Sequence, residues 1–234
     1  MLEDVIRKYN LAEDEIDYHR FDNDAPVAPY RCHVVQKPEV LKECIERCGI
    51  IGARIENIML RYGHIFHLGD IDYVNKKNIK QVLKDKKPLV FGIEVDTPIS
   101  IVTDKGLFEF EFADSSTVTF NVSDKDESAI QQRLEPWDFD IRKIFQGIIG
   151  MKIVDCYVDT EDWAESSFDF TGSHGWSLPV EQGVYIKSFA FKLDNGQYLS
   201  FNAFFDFCEV YLLDKDMNII TVPRNTICSM IHNG

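Results

Sequence analysis

Gly49-Ile-Ile-Gly-Ala-Arg-Ile55 is repeated 98 residues later as Gly147-Ile-Ile-Gly-Met-Lys-Ile153, with five identical positions and an exchange of Arg for Lys. A second pair of similar stretches, residues 110–121 and 191–202, follows in the same order at an offset of 81 residues. Because a chance match would not preserve the order of the two pairs, the sequence predicts an internal duplication.

The repeated Gly-Ile-Ile-Gly segment is predicted to join a helix to a strand. Gly49 is suited to end a helix in the left-handed conformation, and Gly52 allows the chain to enter a strand closely, with the isoleucines in the core. The pattern resembles the Gly-x-x-Gly loop with which KH domains hold nucleic-acid backbone, but that loop joins two helices and carries basic residues. We therefore favour a structural role for this segment.

The helices that precede the two segments match less well. Pro38 and Pro136 also stand 98 residues apart, and each is placed to open a helix at its first position. The apolar faces of these two helices are in different registers, however. The sequence therefore supports duplication more firmly for the strands than for the helices.

Strand patterns fill most of the remaining chain. Phe108, Phe110 and Phe112 alternate with Glu109 and Glu111, which predicts a strand with one buried and one solvent-facing side. Further strands are separated by tight-turn signals, among them residues 194–196 and 214–218. We predict an α+β, β-rich fold made of two degenerate copies of a helix-plus-antiparallel-meander unit.

The predicted organisation has three parts. Residues 1–36 form an N-terminal segment with a short helix and turn, residues 37–123 form the first copy, and residues 135–234 form the second copy with a C-terminal hairpin. The offsets of the two repeats differ by 17 residues, which predicts extra residues in the first copy. We place them in a Lys-rich helical insertion near residues 74–87, which either faces solvent or contacts an acidic surface.

Charge and composition restrict the class of partner. The formal net charge is −14, and residues 123–170 contain 12 acids against five bases. Such a surface repels nucleic-acid phosphates and attracts basic proteins. No apolar run is long enough for a membrane span, and no secretory signal opens the chain, so we predict a cytoplasmic protein with six free cysteines.

The candidate binding residues cluster around one loop. His174 and Trp176 lie in the Gly- and Ser-containing stretch 170–177, and Trp163 precedes it. Loops of this composition concentrate binding and catalytic residues, and Trp is common at binding hot spots. The nearby acids that we include in the site are Asp159, Glu161 and Asp162.

The metal-binding patterns are incomplete. His64 and His67 are followed by Asp70 and Asp72, but a spacing of three places the two imidazoles on opposite faces of a strand. Residues 214–225 begin like a calcium loop but lack its central glycine and final glutamate. We predict neither a metal nor a cofactor.

The sequence favours a non-enzymatic cytoplasmic binding protein that engages a basic protein partner, for example an immunity- or inhibitor-type protein. The alternative is an enzyme or small-ligand-binding protein in which His174 and neighbouring carboxylates perform acid–base work. A third alternative is a homo-oligomer formed through exposed strand edges. The oligomeric state is left open.

Overall fold

The computed structural model describes residues 1–16, 30–60, 65–68, 71–72, 89–90, 92–95, 97–113, 116–123, 145–163, 183–204 and 207–222. They contain the helices α1 (Leu2–Tyr9) and α2 (Pro38–Cys48) and a 3-10 turn, Gln146–Ile148. The strands are β1 (Glu13–Ile16), β2 (Tyr30–Val35), β3 (Ile55–Leu60), β4 (Ile65–Leu68), β5 (Ile71–Asp72), β6 (Leu89–Val90), β7 (Gly92–Val95), β8 (Ile99–Thr103), β9 (Gly106–Phe112), β10 (Val118–Ser123), β11 (Ile153–Trp163), β12 (Gly183–Leu193), β13 (Tyr198–Phe204), β14 (Phe207–Leu213) and β15 (Thr221–Val222).

The strands form two large antiparallel sheets. The first has six strands in the order β1-β2-β10-β9-β8-β3, and the second has seven in the order β11-β12-β13-β14-β7-β4-β5. A short two-stranded sheet pairs β15 with β6. The fold is therefore α+β and β-rich, built largely from antiparallel meanders, as the sequence predicts. In the part of the chain that is described, no helix is long and apolar enough to cross a membrane.

The two sheets pack face to face around a phenylalanine core. The ring of Phe110 in β9 lies 5.3 Å from that of Phe191 and 5.6 Å from that of Phe189, both in β12. Phe189 in turn stacks on Phe201 of β13, with ring centroids 4.7 Å apart. Helix α2 packs against β11, and α1 packs against α2. Both predicted copies thus contribute to one core.

Helix α2 has the boundaries that local sequence signals dictate. Pro38 occupies the first helical turn, where its missing N–H costs no hydrogen bond. Gly49 ends the helix with φ 93°, in the left-handed region, and Ile50 is fully buried immediately after it. The predicted structural role of the first Gly-Ile-Ile-Gly segment is therefore what the structure shows.

The two Gly-Ile-Ile-Gly segments lie side by side and connect the sheets. The Gly52 N–H donates to the Ile153 carbonyl and the Gly150 N–H donates to the Ile55 carbonyl, both at 2.7 Å. Arg54 lies opposite Lys152 in an isolated antiparallel bridge. Each hydrogen bond of one segment has its counterpart 98 residues away in the other, so the junction has a local twofold arrangement.

The second pair of similar stretches does not occupy equivalent places in the sheets. Residues 110–121 span β9 and β10, whereas residues 191–202 span β12 and β13. Counted outward from the junction, the hairpin β12–β13 corresponds in position to β8–β9. The offset of 81 residues therefore compares strands that lie one place apart, and the 17-residue insertion inferred from it does not follow.

The chain between β3 and β8 crosses to the other sheet. Strands β4, β5 and β7 extend the seven-stranded sheet beyond β14, although they precede β8 in the sequence. This long-range pairing has no local sequence signal. The division into copies at residues 37–123 and 135–234 stays a prediction about the chain's origin, and the Lys-rich stretch 74–87 lies outside the described residues.

The prediction that Glu109 and Glu111 face solvent was wrong. All seven residues of β9 are buried, with Glu109 at 0% and Glu111 at 1% exposure. Strand β9 lies inside the sheet between β8 and β10, and both of its faces are covered. Alternation of apolar and charged residues therefore reports a change of environment here, from aromatic to polar, and not a change from core to water.

The predicted C-terminal hairpin is shorter than expected. The turn forms as predicted, since the Asp214 carboxylate accepts backbone N–H groups of Asp216 at 2.8 Å and Asn218 at 2.9 Å. Leu213 and Ile219 then form an isolated bridge. Thr221–Val222 leaves β14 and pairs with β6 instead.

Gly92 is required by the ring that covers it. A Cβ at this position of β7 would overlap the ring of Tyr211 and lie 3.0 Å from the Val210 carbonyl oxygen. We expect Gly92→Ala to lower the free energy of unfolding by about 1–3 kcal/mol, because overpacking forces the neighbours to shift. Urea denaturation measures this.

The matched control for that substitution is Gly147→Ala. Gly147 is exposed, its φ is not positive, and a Cβ there would meet nothing within 4 Å. We expect this variant to change stability by less than about 0.5 kcal/mol. Equal effects of the two substitutions would contradict the close contact between Gly92 and Tyr211.

Candidate functional site

The end of the β11–β12 hairpin extends past the rest of its sheet. Strand β12 pairs with β13 from Ser188 to Lys192, whereas its pairing with β11 continues to Gly183 opposite Trp163. Among the described strands, only β11 pairs with residues 183–187. We call this two-stranded extension, residues 159–163 and 183–187, the ribbon. Ile186 is fully buried in the core and fixes its base.

The three predicted acids lie together on the ribbon. Asp159, Glu161 and Asp162 are all exposed, and each falls within the last five residues of β11. Because successive side chains of a strand point to opposite faces, Asp159 and Glu161 share one face and Asp162 lies on the other. The ribbon therefore presents negative charge on both faces.

The charges of these acids are not neutralised within the described residues. None of the ion pairs formed there involves Asp159, Glu161 or Asp162. The cation of the ribbon is Lys187, which is the extra residue at the register shift between Ile186 and Ser188. Three acids against one base leave a negative field that reaches about 10 Å into solvent at an ionic strength of 0.1 M.

The predicted aromatic residues lie at or beyond the tip of the ribbon. Trp163 is the last residue of β11 and lies opposite Gly183. The connection between them, residues 164–182, includes His174 and Trp176 and lies outside the described residues. The structure thus brings Trp163 and the three acids onto one strand, and the roles of His174 and Trp176 stay predictions.

The predicted metal ligands are only partly described. His67 lies in β4, where its backbone is opposite Asp72 of β5 and Glu94 of β7. His64 and Asp70 lie outside the described residues. Across the residues that are described, no three His, Cys, Asp or Glu side chains form a group that could hold a metal ion.

The cations near the Gly-Ile-Ile-Gly junction hold backbone carbonyls. Lys105 Nζ lies 3.3 Å from the carbonyl oxygen of Gly49 and 3.0 Å from that of Ile51, and the Arg54 guanidinium donates to the Gly150 carbonyl at 2.5 Å. Basic side chains commonly satisfy carbonyls at the end of a helix in this way. Since a strand and not a second helix follows, the likeness to the KH loop was misleading.

A buried polar layer was missed by sequence reasoning. Glu109 accepts hydrogen bonds from the Ser100 hydroxyl and the Asn121 amide, both at 2.9 Å, and the Thr119 hydroxyl lies 3.4 Å from Glu111. Burial, with Cys32 and the two glutamates nearby, raises the pKa of the Tyr30 hydroxyl well above its usual value. This layer lies on the face of the first sheet opposite the phenylalanines.

The cysteines of the described residues are free thiols, with no disulfide among them. Burial raises the pKa of Cys44, Cys156 and Cys208 to about 12, and that of the half-buried Cys48 to about 11. Because the thiolate is the reactive form, these groups are poor nucleophiles at neutral pH. A thiol-based catalytic role receives no support from this environment.

Cys48 is expected to react first among the described cysteines. It alone of them is partly exposed, whereas Cys32, Cys44, Cys156 and Cys208 are buried. We expect iodoacetamide labelling of the native protein, followed by peptide mass spectrometry, to modify Cys48 at least about 10-fold faster than Cys44 or Cys156. Equal labelling rates would show that the contact between α2 and β11 opens easily.

Comparison of the chain with protein-family models, with curated protein sequences and with solved structures found no match. The function is therefore argued from the geometry of the ribbon and from the charge that it carries.

Proposed function

We propose that this protein is a cytoplasmic, non-enzymatic binding protein that engages a basic protein partner through the acidic ribbon. The observation that carries the proposal is the exposure of Asp159, Glu161 and Asp162 on a strand pair that extends beyond its sheet. Carboxylates placed in this way are accessible from two faces to arginine and lysine side chains of a partner.

The surrounding charge supports the same conclusion. Residues 123–170 carry 12 acids and five bases, so an incoming basic surface meets an attractive field before it meets the ribbon. Fields of this kind raise association rates and select partners by charge. The tryptophans at positions 163 and 176 would then supply the apolar anchors that electrostatics alone does not provide. One specific version is an inhibitor or immunity-type protein whose carboxylates replace the phosphates of a basic enzyme's substrate.

A comparison of the two halves supports the choice of the ribbon. If the halves descend from one duplicated unit, as the twofold hydrogen bonds at the junction suggest, then Leu60 corresponds to Val158 in the sequence offset of 98 residues. Strand β3 ends at Leu60, whereas β11 continues for five residues past Val158. The ribbon is then the part of the second half that has no counterpart in the first, which is where a binding function would be added.

The proposal is tested by reversing the charge of the ribbon. The protein would be immobilised as wild type and as the variant Asp159→Lys, Glu161→Lys, Asp162→Lys, and proteins retained from a source extract at low salt would be identified by mass spectrometry. We expect the wild type to retain a basic protein that the variant releases, with apparent affinity reduced at least about 100-fold, because attraction becomes repulsion.

A second triple variant controls for the change in net charge. Glu13, Glu46 and Asp216 are exposed acids outside the ribbon, and replacing all three by Lys changes the total charge equally. We expect this variant to retain the same basic protein as the wild type. Equal loss from both variants would reduce the effect to net charge, and equal retention by both would remove the ribbon from the binding site.

A further inference from the structure

The outer edge of β11 has backbone groups that do not face β12. Strand β11 is the outermost of the seven strands in its sheet, as far as the described residues extend. The Asp194 N–H donates to the Lys152 carbonyl, and Ile153, opposite Leu193, turns its own N–H and carbonyl away from β12 to bond Ala53 and Gly52. The antiparallel alternation, continued through the bulge opposite Lys192, turns the N–H groups of Cys156, Val158, Thr160 and Asp162 to the same side.

Two of these outward N–H groups are capped by the strand's own aspartates. The Cys156 N–H donates to Asp155 Oδ1 at 2.9 Å, and the Thr160 N–H donates to Asp159 Oδ1 at 3.0 Å. At the corresponding bulge of β3, the Ile58 N–H donates to Asn57 Oδ1 at 3.0 Å. Capped donors and acidic side chains are means by which exposed strand edges avoid pairing with other strands.

We propose that the outer edge of β11 is a docking edge for an extended basic segment of a partner, which adds to the sheet as a further strand. This inference rests on the proposed function and specifies how the partner binds. A Lys or Arg side chain of the incoming strand draws away the carboxylate of Asp155 or Asp159, and the freed N–H of Cys156 or Thr160 then donates to a carbonyl of that strand.

Charge decides which strand this edge accepts. A second copy of the chain would bring Asp155, Asp159, Glu161 and Asp162 against the same four acids, and like charges directly opposite one another are destabilising. A basic segment instead meets an opposite charge at each of these positions. The edge is thus closed to copies of this chain and open to strands rich in Lys or Arg.

The spacing of the two capping residues defines the segment further. Asp155 and Asp159 are four residues apart on one face of β11, a separation of about 13 Å at about 3.3 Å per residue. The incoming strand should therefore carry basic residues four positions apart on one face. Bases three positions apart would point to opposite faces and reach only one of the aspartates at a time.

The test uses synthetic peptides of alternating Thr and Val with two Lys residues. We expect a peptide with its lysines four positions apart to bind the full-length protein at least about 10-fold more tightly than one with lysines three apart, by fluorescence anisotropy at low salt. N-methylation of the peptide amides that face β11 should abolish binding, whereas N-methylation of the alternate amides should leave it unchanged. Amide proton signals of Cys156 and Thr160 should shift on binding in NMR spectra.

The variant Asp155→Asn, Asp159→Asn keeps both side-chain acceptors and removes both charges, so it is expected to fold and to lose affinity for the peptide. Failure of the lysine peptide to bind, or equal binding by this variant, would overturn the docking edge. Binding that survives N-methylation of the edge-facing amides would also overturn it, yet would leave the proposed function intact, because the partner could then use side-chain contacts alone.

Discussion

Phe189→Ala is expected to lower the free energy of unfolding by about 3–5 kcal/mol, the range typical of removing a fully buried phenylalanine from a core. The ring of Phe189 is 1% exposed and stacks on that of Phe201 at a centroid distance of 4.7 Å. It also lies 5.6 Å from Phe110 and 5.7 Å from Phe112 of the facing sheet. The substitution would therefore remove contacts both within one sheet and between the two sheets.

Urea denaturation followed by circular dichroism measures the effect, and Tyr157→Ala provides the control. Tyr157 contacts the ring of Tyr198 at 5.8 Å, but it is 44% exposed. We expect its loss to cost no more than about 1 kcal/mol, because little apolar surface leaves the interior. Similar costs at the two positions would contradict a core centred between the sheets at Phe189.

Glu109→Ala is expected to lower the free energy of unfolding by about 3 kcal/mol. Its carboxylate is fully buried and accepts hydrogen bonds from the Ser100 hydroxyl and the Asn121 amide. Removing the acceptor leaves two polar groups in the interior without this partner, and each such group costs about 1–3 kcal/mol. Part of this cost is offset because a buried carboxylate is itself costly.

The comparison that isolates burial is Glu161→Ala on the ribbon, where the same substitution removes an exposed carboxylate. We expect a change within about 0.5 kcal/mol there. Ser100→Ala combined with Glu109→Ala should cost less than the sum of the single substitutions, since one orphaned donor is removed with its acceptor. Strict additivity would show that the Ser100–Glu109 hydrogen bond contributes nothing.

Local signals in the sequence predicted the local structure well. Pro38 and Gly49 fix the two ends of α2 because a proline ring sets φ for the first turn and glycine tolerates the left-handed φ that ends it. The Asp214 turn likewise follows from a side chain that caps nearby backbone N–H groups. Such features depend on a few neighbouring residues and can be recognised without knowledge of the rest of the fold.

Long-range features could not be obtained in this way. The alternation around Phe110 predicts a strand but not what covers its second face, and Glu109 proved to be buried. The pairing of β7 with β14 joins residues far apart in the sequence, and no local pattern encodes it. The repeat at the junction identified a true point of contact, whereas the offset of 81 residues compared strands in different places.

The candidate site divides along the same line. Clustering of acids near Trp163 indicated the region, because charge density is visible in the sequence itself. The extension of β11 and β12 past β13 was not visible, since it depends on where pairing in a third strand stops. The caps made by Asp155 and Asp159 depend on the register of β11 against β12 and were equally inaccessible.

The central claim is that the acidic ribbon engages a basic partner, and the association rate measured against ionic strength tests it most directly. For the basic protein retained by the wild type, we predict an association rate constant that falls at least about 10-fold between low and physiological salt. The variant with Asp159, Glu161 and Asp162 replaced by Lys should associate slowly at every ionic strength. Equal rates for the two proteins, with no dependence on salt, would contradict the claim.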